Sequence, residues 1–451
     1  KSEKQVLVFS FLGMETKEID LASVSDLTKS LVVTLEEDVK AIEEVVVTGY
    51  GNFRKTSFTG KAVSVKGEEL KKVATRNIIS ALQVFDPSLR IRENNQFGSD
   101  PNALPEFNIR GNSSIGVTGL DQVQSLSKAN LRNNTNLPLF IMDGFEVSVE
   151  KVYDMDMSRV ETINILKDAA ATAMYGSRAA NGVVVITTVK PKAGEVRVSY
   201  NFLAEVSAPD LSDYNLMDAA EKLEAERLAG LYLSDKPNEQ IELEEDYYGK
   251  LQLIMKGVDT DWLSQPLRNV FNHKHTLYIE GGAGDVMRYG IDFKYDKNNG
   301  VMKGSFRKTM GIGLNVEYLL EKLQIRNTVS YNKMNSEESP YGYFSDYSRK
   351  QPYDRFKDEN GNLLLKTNDL LYNDQNPLYD VHLDSYNKSD YDEFVENLNV
   401  NWNIMQGLQL RGTLGVTLRN GSSARFVDPA SSKYRIDEDP SERGTLDLTD
   451  D

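Results

Sequence analysis

From residue 196 onward the chain alternates between apolar and polar positions. Val196, Val198, Tyr200, Phe202, Ala204 and Val206 interleave with Arg197, Ser199, Asn201 and Glu205, broken only by Leu203. Tyr289, Ile291, Phe293 and Tyr295 alternate with Arg288, Asp292, Lys294 and Asp296. Met310, Ile312, Leu314, Val316 and Tyr318 do the same against Thr309, Asn315 and Glu317. Leu398 to Ile404 and Leu408 to Leu418 repeat the pattern. A period of two marks strands with two unlike faces, and with Thr276 to Glu280 and Leu323 to Tyr331 it predicts about seven antiparallel strands. The turns at Gly284-Asp285, Glu321-Lys322 and Gln406-Gly407 are tight, whereas the connections 207–274, 297–307 and 336–393 are longer. Short turns at one end and long loops at the other are the habit of a membrane barrel, and a soluble sandwich has no reason to keep it. If the preceding unit hands over at the short-turn rim, the strand from Val196 runs outward and every long loop falls on the outer side.

Before residue 193 the pattern is different. Val160 to Leu166 has the β-branched content of a strand, Asp168 is placed to cap an Ala-rich helix, and Gly176 suits the left-handed residue that ends one. Asn181-Gly182 turns the chain into Val183 to Val189, an apolar run suited to a strand buried on both faces. Upstream, Phe58 to Val65, Phe107 to Gly111 and Leu139 to Gly144 are expected strands and Arg76 to Gln83 an expected helix. Further forward, Glu44-Val45-Val46-Val47-Thr48-Gly49 is a short, sticky strand after an acidic run, at a boundary between units. Such a strand either pairs within its own domain or offers an open edge to a partner strand.

Leu166-Lys167-Asp168-Ala169-Ala170-Ala171, Tyr175-Gly176-Ser177-Arg178-Ala179-Ala180-Asn181-Gly182-Val183 and Ile186-Thr187-Thr188 resemble the plug-domain signature of the SusC/RagA family. Its members are TonB-linked transporters of the bacterial outer membrane. The resemblance covers about residues 4 to 420. It implies a membrane β-barrel with an α+β plug inside, preceded by the end of a small carboxypeptidase-regulatory-like β-sandwich. Roughly 22 strands are needed to enclose a plugged lumen, so the chain is expected to hold the N-terminal portion of the barrel. The opening strands of the sandwich are missing, so Lys1 is not expected to be a natural start. The implied domains are 1–40 (sandwich), 41–51 (TonB box and linker), 52–192 (plug) and 193–451 (first barrel strands and outer loops).

The resemblance further implies import of oligosaccharides or peptides. A SusD-like surface lipoprotein would act as lid, and TonB, with inner-membrane partners of the ExbB/ExbD type, would pull on a box at Glu44, Val45, Val46, Val47, Thr48 and Gly49. The plug-motif residues carried over are Arg110, Gly111, Asp143, Gly144, Lys167, Asp168, Tyr175, Gly176, Arg178, Asn181 and Gly182. Arg110, Arg178, Asp143 and Asp168 are expected to form ion pairs that hold the plug yet let it be pulled. Two places depart from the family pattern: Val84-Phe85-Asp86-Pro87-Ser88 replaces a Gly-rich turn, and the loop from Asn112 to Pro138 is unusually long.

Composition narrows the alternatives. Against 52 Lys and Arg stand 68 Asp and Glu, a net charge of −16, which argues against nucleic acid as a partner. With no cysteine and three histidines, thiol chemistry is excluded and little remains for metal ligation; His273-Lys274-His275 has no third ligand nearby, and neither metal nor cofactor is expected. Asp296 to Gly300 has part of a calcium-loop spacing but lacks its terminal Glu. No nucleophile elbow, phosphate loop or dinucleotide fingerprint appears, so no catalytic residue is expected. No apolar run approaches the ~18 residues of a membrane helix, a test that barrel strands escape.

In the outer connections a helix is expected over Leu216 to Leu231, capped by Asp213 or Asn215. Aromatic residues crowd 336–393; cargo contacts are sought around Asn112, Ser113, Tyr341, Tyr343 and Tyr347. A receptor for metal chelates or for signalling, and a soluble β-rich glycan-binding protein or enzyme, are the alternatives.

Overall fold

The computed structural model describes residues 6–9, 17–20, 33, 45–47, 52–54, 62–73, 78–92, 100–103, 106–108, 137–167, 173–284, 286–368, 374–434 and 439–450. Two short hairpins come first. Strand β1 (Val6–Phe9) pairs with β2 (Lys17–Asp20), and β3 (Val45–Val47) pairs antiparallel with β4 (Asn52–Arg54).

A five-stranded mixed sheet follows, built from β5 (Ala62–Lys66), β8 (Leu139–Met142), β9 (Phe145–Glu146), β10 (Val160–Leu166) and β11 (Val183–Thr188) in the order β5-β10-β11-β8-β9. A small pair, β6 (Arg90–Arg92) and β7 (Glu106–Asn108), stands beside it. Strand β11 lies in the middle, which is why it reads as continuous valine and isoleucine. Val184 and Ile186 enter one core with Ile163, Ile165, Leu82 and Val152, while Val183 and Val185 enter a second with Ile141 and Leu166. The first core is roofed by α1 (Gly67–Val73), α2 (Ile78–Phe85) and α3 (Val149–Asp154). Gly67 opens α1 against β10; a β-carbon there would stand 1.9 Å from the Val160 carbonyl oxygen, so only glycine lets the two elements meet.

Eight further strands form one antiparallel meander, β12 (Arg197–Ser207), β13 (Val270–Ala283), β14 (Met287–Asn299), β15 (Phe306–Leu319), β16 (Leu323–Glu337), β19 (Tyr386–Met405), β20 (Leu408–Val427) and β21 (Thr445–Asp450). A small pair, β17 (Lys366–Asn368) and β18 (Asp374–Gln375), lies in the connection 338–385. The sheet is inside out by the standards of a water-soluble protein. On β15, Arg307, Thr309, Asn315 and Glu317 are buried while Met310, Ile312, Leu314 and Tyr318 are exposed. Strand registers carry this division across the sheet: Asn315 stands opposite Thr328, and Leu314 opposite Ile291 and Val329. A polar interior with an apolar exterior is the arrangement of a barrel wall in lipid. Among the described residues no helix is long and apolar enough to cross a membrane, a criterion that does not bear on strands.

The polarity expected from the loop lengths is present. The connections around 285, 321 and 406 share one rim, where the plug hands over to β12: the Gly282 amide donates to the Gly194 carbonyl at 3.0 Å and the Lys192 amide to the Glu280 carboxylate at 2.8 Å. At the other rim lie the connections 208–269, 300–305, 338–385 and 428–444.

The outer connections are more ordered than their sequence suggests. In the first, α4 (Ala219–Leu228) is capped by Asp218 in a capping box with Glu221, so neither Asp213 nor Asn215 is the cap. The acidic run 239–246 is part of a second helix, α5 (Pro237–Met255). Trp262 from this connection packs on Tyr347 and Leu378 from 338–385, forming a small apolar core. Tyr347, at the end region of the short helix α6 (Phe344–Ser348), is fully buried in it. It therefore belongs to loop packing and cannot face cargo, which corrects its place among the candidate contacts; Tyr341 is half buried against the same core, and Tyr343 is exposed.

Candidate functional site

Between Asp143 and Arg159 the plug turns a row of charges toward the inner wall of the sheet. The row begins at the β8–β9 turn, where Asp143 and Gly144 have positive φ of 49° and 94°. The Asp143 carboxylate accepts from the Thr188 amide at 3.0 Å and pairs with Arg326 of β16 at 3.4 Å. Arg326 also donates to the Thr188 hydroxyl at 2.9 Å, so strand β11 helps hold the pair.

Helix α3 continues the row. Ser148 caps it, accepting from the Lys151 amide at 3.3 Å. Val149 and Val152 point into the plug core, which leaves Glu150, Lys151 and Asp154 for the wall. Glu150 reaches Arg419 of β20 at 3.8 Å and Lys151 reaches Glu393 of β19 at 2.9 Å. Asp154 takes a two-pronged bond from Arg307 of β15, at 3.0 and 2.7 Å, and accepts the Tyr391 hydroxyl at 2.8 Å. The Lys294 ammonium donates to the Asp154 carbonyl. Asp156 then caps a single 3₁₀ turn (Met157–Arg159) and pairs with Lys274 of β13 at 3.2 Å, accepting the Thr276 hydroxyl at 2.5 Å. Arg159 closes the row, 3.4 Å from Asp292 of β14 and 4.0 Å above the Tyr278 ring.

Six plug charges thus meet six different strands, β13 to β16, β19 and β20. At Asp154 and Asp156 the surroundings favour the charged form. Burial pushes Asp154 toward protonation, but Arg307, Lys294 and Tyr391 outweigh it and hold the carboxyl below its ordinary value. Asp156 is depressed in the same way, burial opposing and Lys274, Thr276 and Ser158 prevailing. A cavity of about 160 Å³ runs along the seam, bordered by Asp143, Lys151 and Arg159 from the plug and by Gly311, Gly313 and Asn332 from the wall. Where a side chain would block the approach there is glycine: a β-carbon on Gly415 of β20 would sit 2.6 Å from the Phe145 ring.

The expected site residues distribute unevenly. Asp143 joins the wall. Arg178 pairs with Glu146 at 2.7 Å within the plug and is not among the residues that meet the described wall strands. Lys167 binds Asp86 at 2.5 Å within the plug, and Asp86 also accepts from Ser88 in the Asp-Pro turn. Tyr175 packs with Ala179 and Val183. Gly176 and Gly182 have φ of 69° and 94°, and the Asn181-Gly182 turn is closed by the Gly182 amide on Ala179 at 2.9 Å. Arg110, Gly111, Asn112, Ser113, Asp168, Glu44, Thr48 and Gly49 lie outside the described residues. Val45–Val47 form β3, whose one described partner is β4.

Glu150, Lys151, Asp154, Asp156 and Arg159 escaped sequence reading. The signal was present as charged residues set between Val149, Val152, Met155 and Met157, which is the profile of a segment with one face in a core and one face on a charged wall. Away from the seam, His273 and His275 stand on the outer face of β13, Nδ1 to Nε2 at 3.1 Å. Among the described residues no group of three or more potential metal ligands occurs.

Comparison with known proteins agrees with this architecture. The TonB-dependent receptor plug domain family matches residues 54–183. The chain is 26% identical to the TonB-dependent receptor SusC of Bacteroides thetaiotaomicron, over 94% of the chain and 41% of that protein. It is also 26% identical to the TonB-dependent receptor P39 of Formosa agariphila, over 93% of the chain and 37% of that protein. The chain therefore spans about two fifths of the length of these relatives. Among solved structures, the RagAB peptide importer in its open-open state matches 88% of the chain and 44% of its own, at 23% identity and a TM-score of 0.64, which concerns the fold. With a plug docked on a polar-inside sheet and relatives aligned along nearly its whole length, the chain is similar to the SusC/RagA-like TonB-dependent receptors of the bacterial outer membrane, and residues 54–183 match their plug-domain family.

Proposed function

We propose that the chain serves TonB-dependent import across the outer membrane, with the plug as the stopper that energy input must shift. The observation that carries this is the seam: a globular unit attached to six strands by ion pairs, with one cavity along the joint, is a closure rather than a catalytic centre. The outer membrane has no ATP, so work must arrive mechanically. Strand β3 in the box Glu44 to Gly49 has one edge on β4, and its other edge suits addition of a partner strand from a TonB-like protein. Inner-membrane partners of the ExbB/ExbD type would supply the pull.

The cargo is an oligosaccharide or a peptide, as the family resemblance of the plug motifs implies; the RagAB importer, similar in fold, is a peptide importer. A SusD-like lipoprotein lid would rest on the connections 208–269 and 338–385, which the Trp262–Tyr347–Leu378 core joins into one platform. Exposed Tyr343 and half-buried Tyr341 on that platform remain cargo candidates. Deleting Glu44 to Gly49 from the full-length protein tests the reading: uptake of labelled cargo is expected to stop while surface binding persists. Loss of both together contradicts it, and uptake assays with oligoglucosides against oligopeptides assign the class.

A further inference from the structure

We propose, on the reading of the plug as a movable stopper, that the barrel wall carries replacement partners for charges the plug holds. Plug release is then in part an exchange of ion pairs: Arg326 passes from Asp143 to Glu317, while Glu393 and Arg419 pair with each other. Strand register places the replacements. Glu317 of β15 stands directly opposite Arg326 of β16, and Glu393 of β19 directly opposite Arg419 of β20. Side chains so placed share a face and have β-carbons about 4.5–5.5 Å apart, so a change of rotamer joins them with no movement of the backbone.

In the docked protein the plug engages three of these four residues. Arg326 pairs with Asp143 at 3.4 Å and donates to the Thr188 hydroxyl at 2.9 Å. Arg419 lies 3.8 Å from Glu150, and Glu393 accepts from Lys151 at 2.9 Å. Among the described residues no ion pair joins Glu317 to Arg326 or Glu393 to Arg419. The fourth residue is held in reserve. Glu317 is 1% exposed; one carboxylate oxygen accepts from the Gln324 side-chain amide at 2.7 Å, and the other has no hydrogen-bond partner among the described residues. A buried acceptor left in this way is costly, and the arginine across the ladder can satisfy it once Asp143 moves away. Arg288 stands opposite Glu317 on the other ladder and has not closed on that oxygen either.

The grip of the plug follows the same division. Arg326 and Arg419, each with an acid across the ladder, are held at 3.4 and 3.8 Å. Arg307, whose ladder neighbours are Asn298 and Ser336, is held by its two-pronged bond to Asp154 at 3.0 and 2.7 Å. Separating a buried pair passes through a state in which each charge has lost its partner before water arrives, and an unpaired buried charge is strongly unfavourable. A second partner within side-chain reach shortens that state. The exchange therefore bears on the rate of opening, and the Asp154–Arg307 pair remains the bond that must be broken outright.

The test follows opening of the full-length protein in planar bilayers, as the rate at which conductance rises in urea. It needs neither TonB nor cargo, so its outcome is separate from that of deleting Glu44 to Gly49. Glu317→Gln keeps an oxygen for Gln324 and removes the replacement charge, and it is expected to open at least tenfold more slowly than the unaltered protein. In an Arg326→Gln background the same substitution is expected to change the rate less than twofold, because the residue that exchanges is gone. The proposal is overturned if Glu317→Gln opens faster than the unaltered protein or within twofold of it. Equal slowing in the Arg326→Gln background also overturns it, since Glu317 is then a structural residue only. Heat-modifiable migration reports folding, and if Glu317→Gln does not fold the second couple decides. Lys151→Gln loses a docked contact alone, whereas Glu393→Gln loses the docked and the exchanged contact alike. Lys151→Gln is therefore expected to open at least fivefold faster than Glu393→Gln, and equal rates or the reverse order overturn the proposal.

Discussion

Ile163 in the plug and Ile312 in the sheet carry the same side chain to opposite places. The first is fully buried between sheet and helices, and the second is 44% exposed on the outside of β15. Around Ile163 the buried neighbours are Val184, Ile186, Leu82 and Val152. Around the inner face of β15 they are Asn315, Glu317, Arg307 and Arg326. The difference identifies what surrounds each unit. Apolar groups leave water for a core in the plug, whereas the sheet can leave them outside because its exterior solvent is hydrocarbon and its interior is a charged surface for the plug.

The sharpest way to break this comparison is at the seam, where the polar interior is used. Removing one partner of a buried pair leaves the other unpaired and costs about 3–5 kcal/mol. Asp154→Ala strands Arg307 and Tyr391 at once, while Lys294 keeps its bond to the main-chain carbonyl, so the plug is expected to loosen by that amount, read as open-channel conductance in planar bilayers and as protease cleavage within 143–159. Asp154→Leu combined with Arg307→Leu is expected to recover much of the loss, because neither member of that pair is left without the other. Protons probe the same contacts. Asp154 and Asp156 lie below their ordinary value of 3.8 when the plug is docked. Depressed carboxylates stabilise the docked state above that value and lose their effect as pH falls through the lowered one. Plug retention is therefore expected to hold from neutral pH down to about 4 and to weaken only below; weakening between pH 5 and 7 would contradict the assignment.

Next in size is the paired truncation of the two isoleucines. Ile163→Ala is expected to cost about 2–5 kcal/mol, through lost burial and the cavity left in a packed core. Ile312→Ala, whose side chain meets lipid on a fluid surface, is expected to cost about 1 kcal/mol or less. Chemical unfolding in detergent micelles and in lipid separates the two, and equal costs would mean that the outer face of β15 is packed against protein.

The sequence made the barrel wall legible only over the depth of the membrane. Strand β19 runs from Tyr386 to Met405, yet alternation marks only Leu398 to Ile404, because the outward positions Lys388, Asp390 and Asp392 are charged and Glu396, level with Val329 and Val416, interrupts the run between Phe394 and Leu398. The same cause hides the outer ends of β13 and β20. Strand β21 escaped because Leu446 and Leu448 are too few to show a period. Helix α5 was read as an acidic stretch since its described face buries Asp246, paired with Lys250 at 2.7 Å, and exposes Ile241, Tyr248 and Met255. In the plug the strands and the Asn181-Gly182 turn were readable because they are local. The seam was not, since Lys151 and Glu393 or Asp154 and Arg307 lie far apart in the chain, and nothing local distinguishes a buried charge with a distant partner from a solvated one.

A smaller effect separates fit from charge at the same interface. Gly415→Ala places a methyl group against Phe145, 2.6 Å from its ring carbon, and overpacking of this kind costs about 1–3 kcal/mol. Docking is expected to weaken without any change in its pH dependence. Phe145→Ala in the same chain should remove the clash, measured as recovery of low conductance; failure to recover would mean that the strand, and not the ring, resists the new methyl.

The smallest expected effect lies in the outer loops, which return to the rule followed by the plug. Tyr347 is fully buried with Trp262 and Leu378, and its hydroxyl is 3.5 Å from the Pro377 carbonyl, a long contact. Tyr347→Phe keeps the ring and removes only that contact, so it is expected to cost about 1 kcal/mol or less and to leave uptake unchanged. Tyr343, 55% exposed a few residues away, contributes little to packing, so Tyr343→Ala is expected to leave thermal stability within ~0.5 kcal/mol while lowering uptake if its ring meets cargo. The two readouts move in opposite senses for the two tyrosines only if the platform is a water-facing unit with its own apolar core. A Tyr347→Phe variant that is stable yet fails to import would instead turn that core toward the cargo.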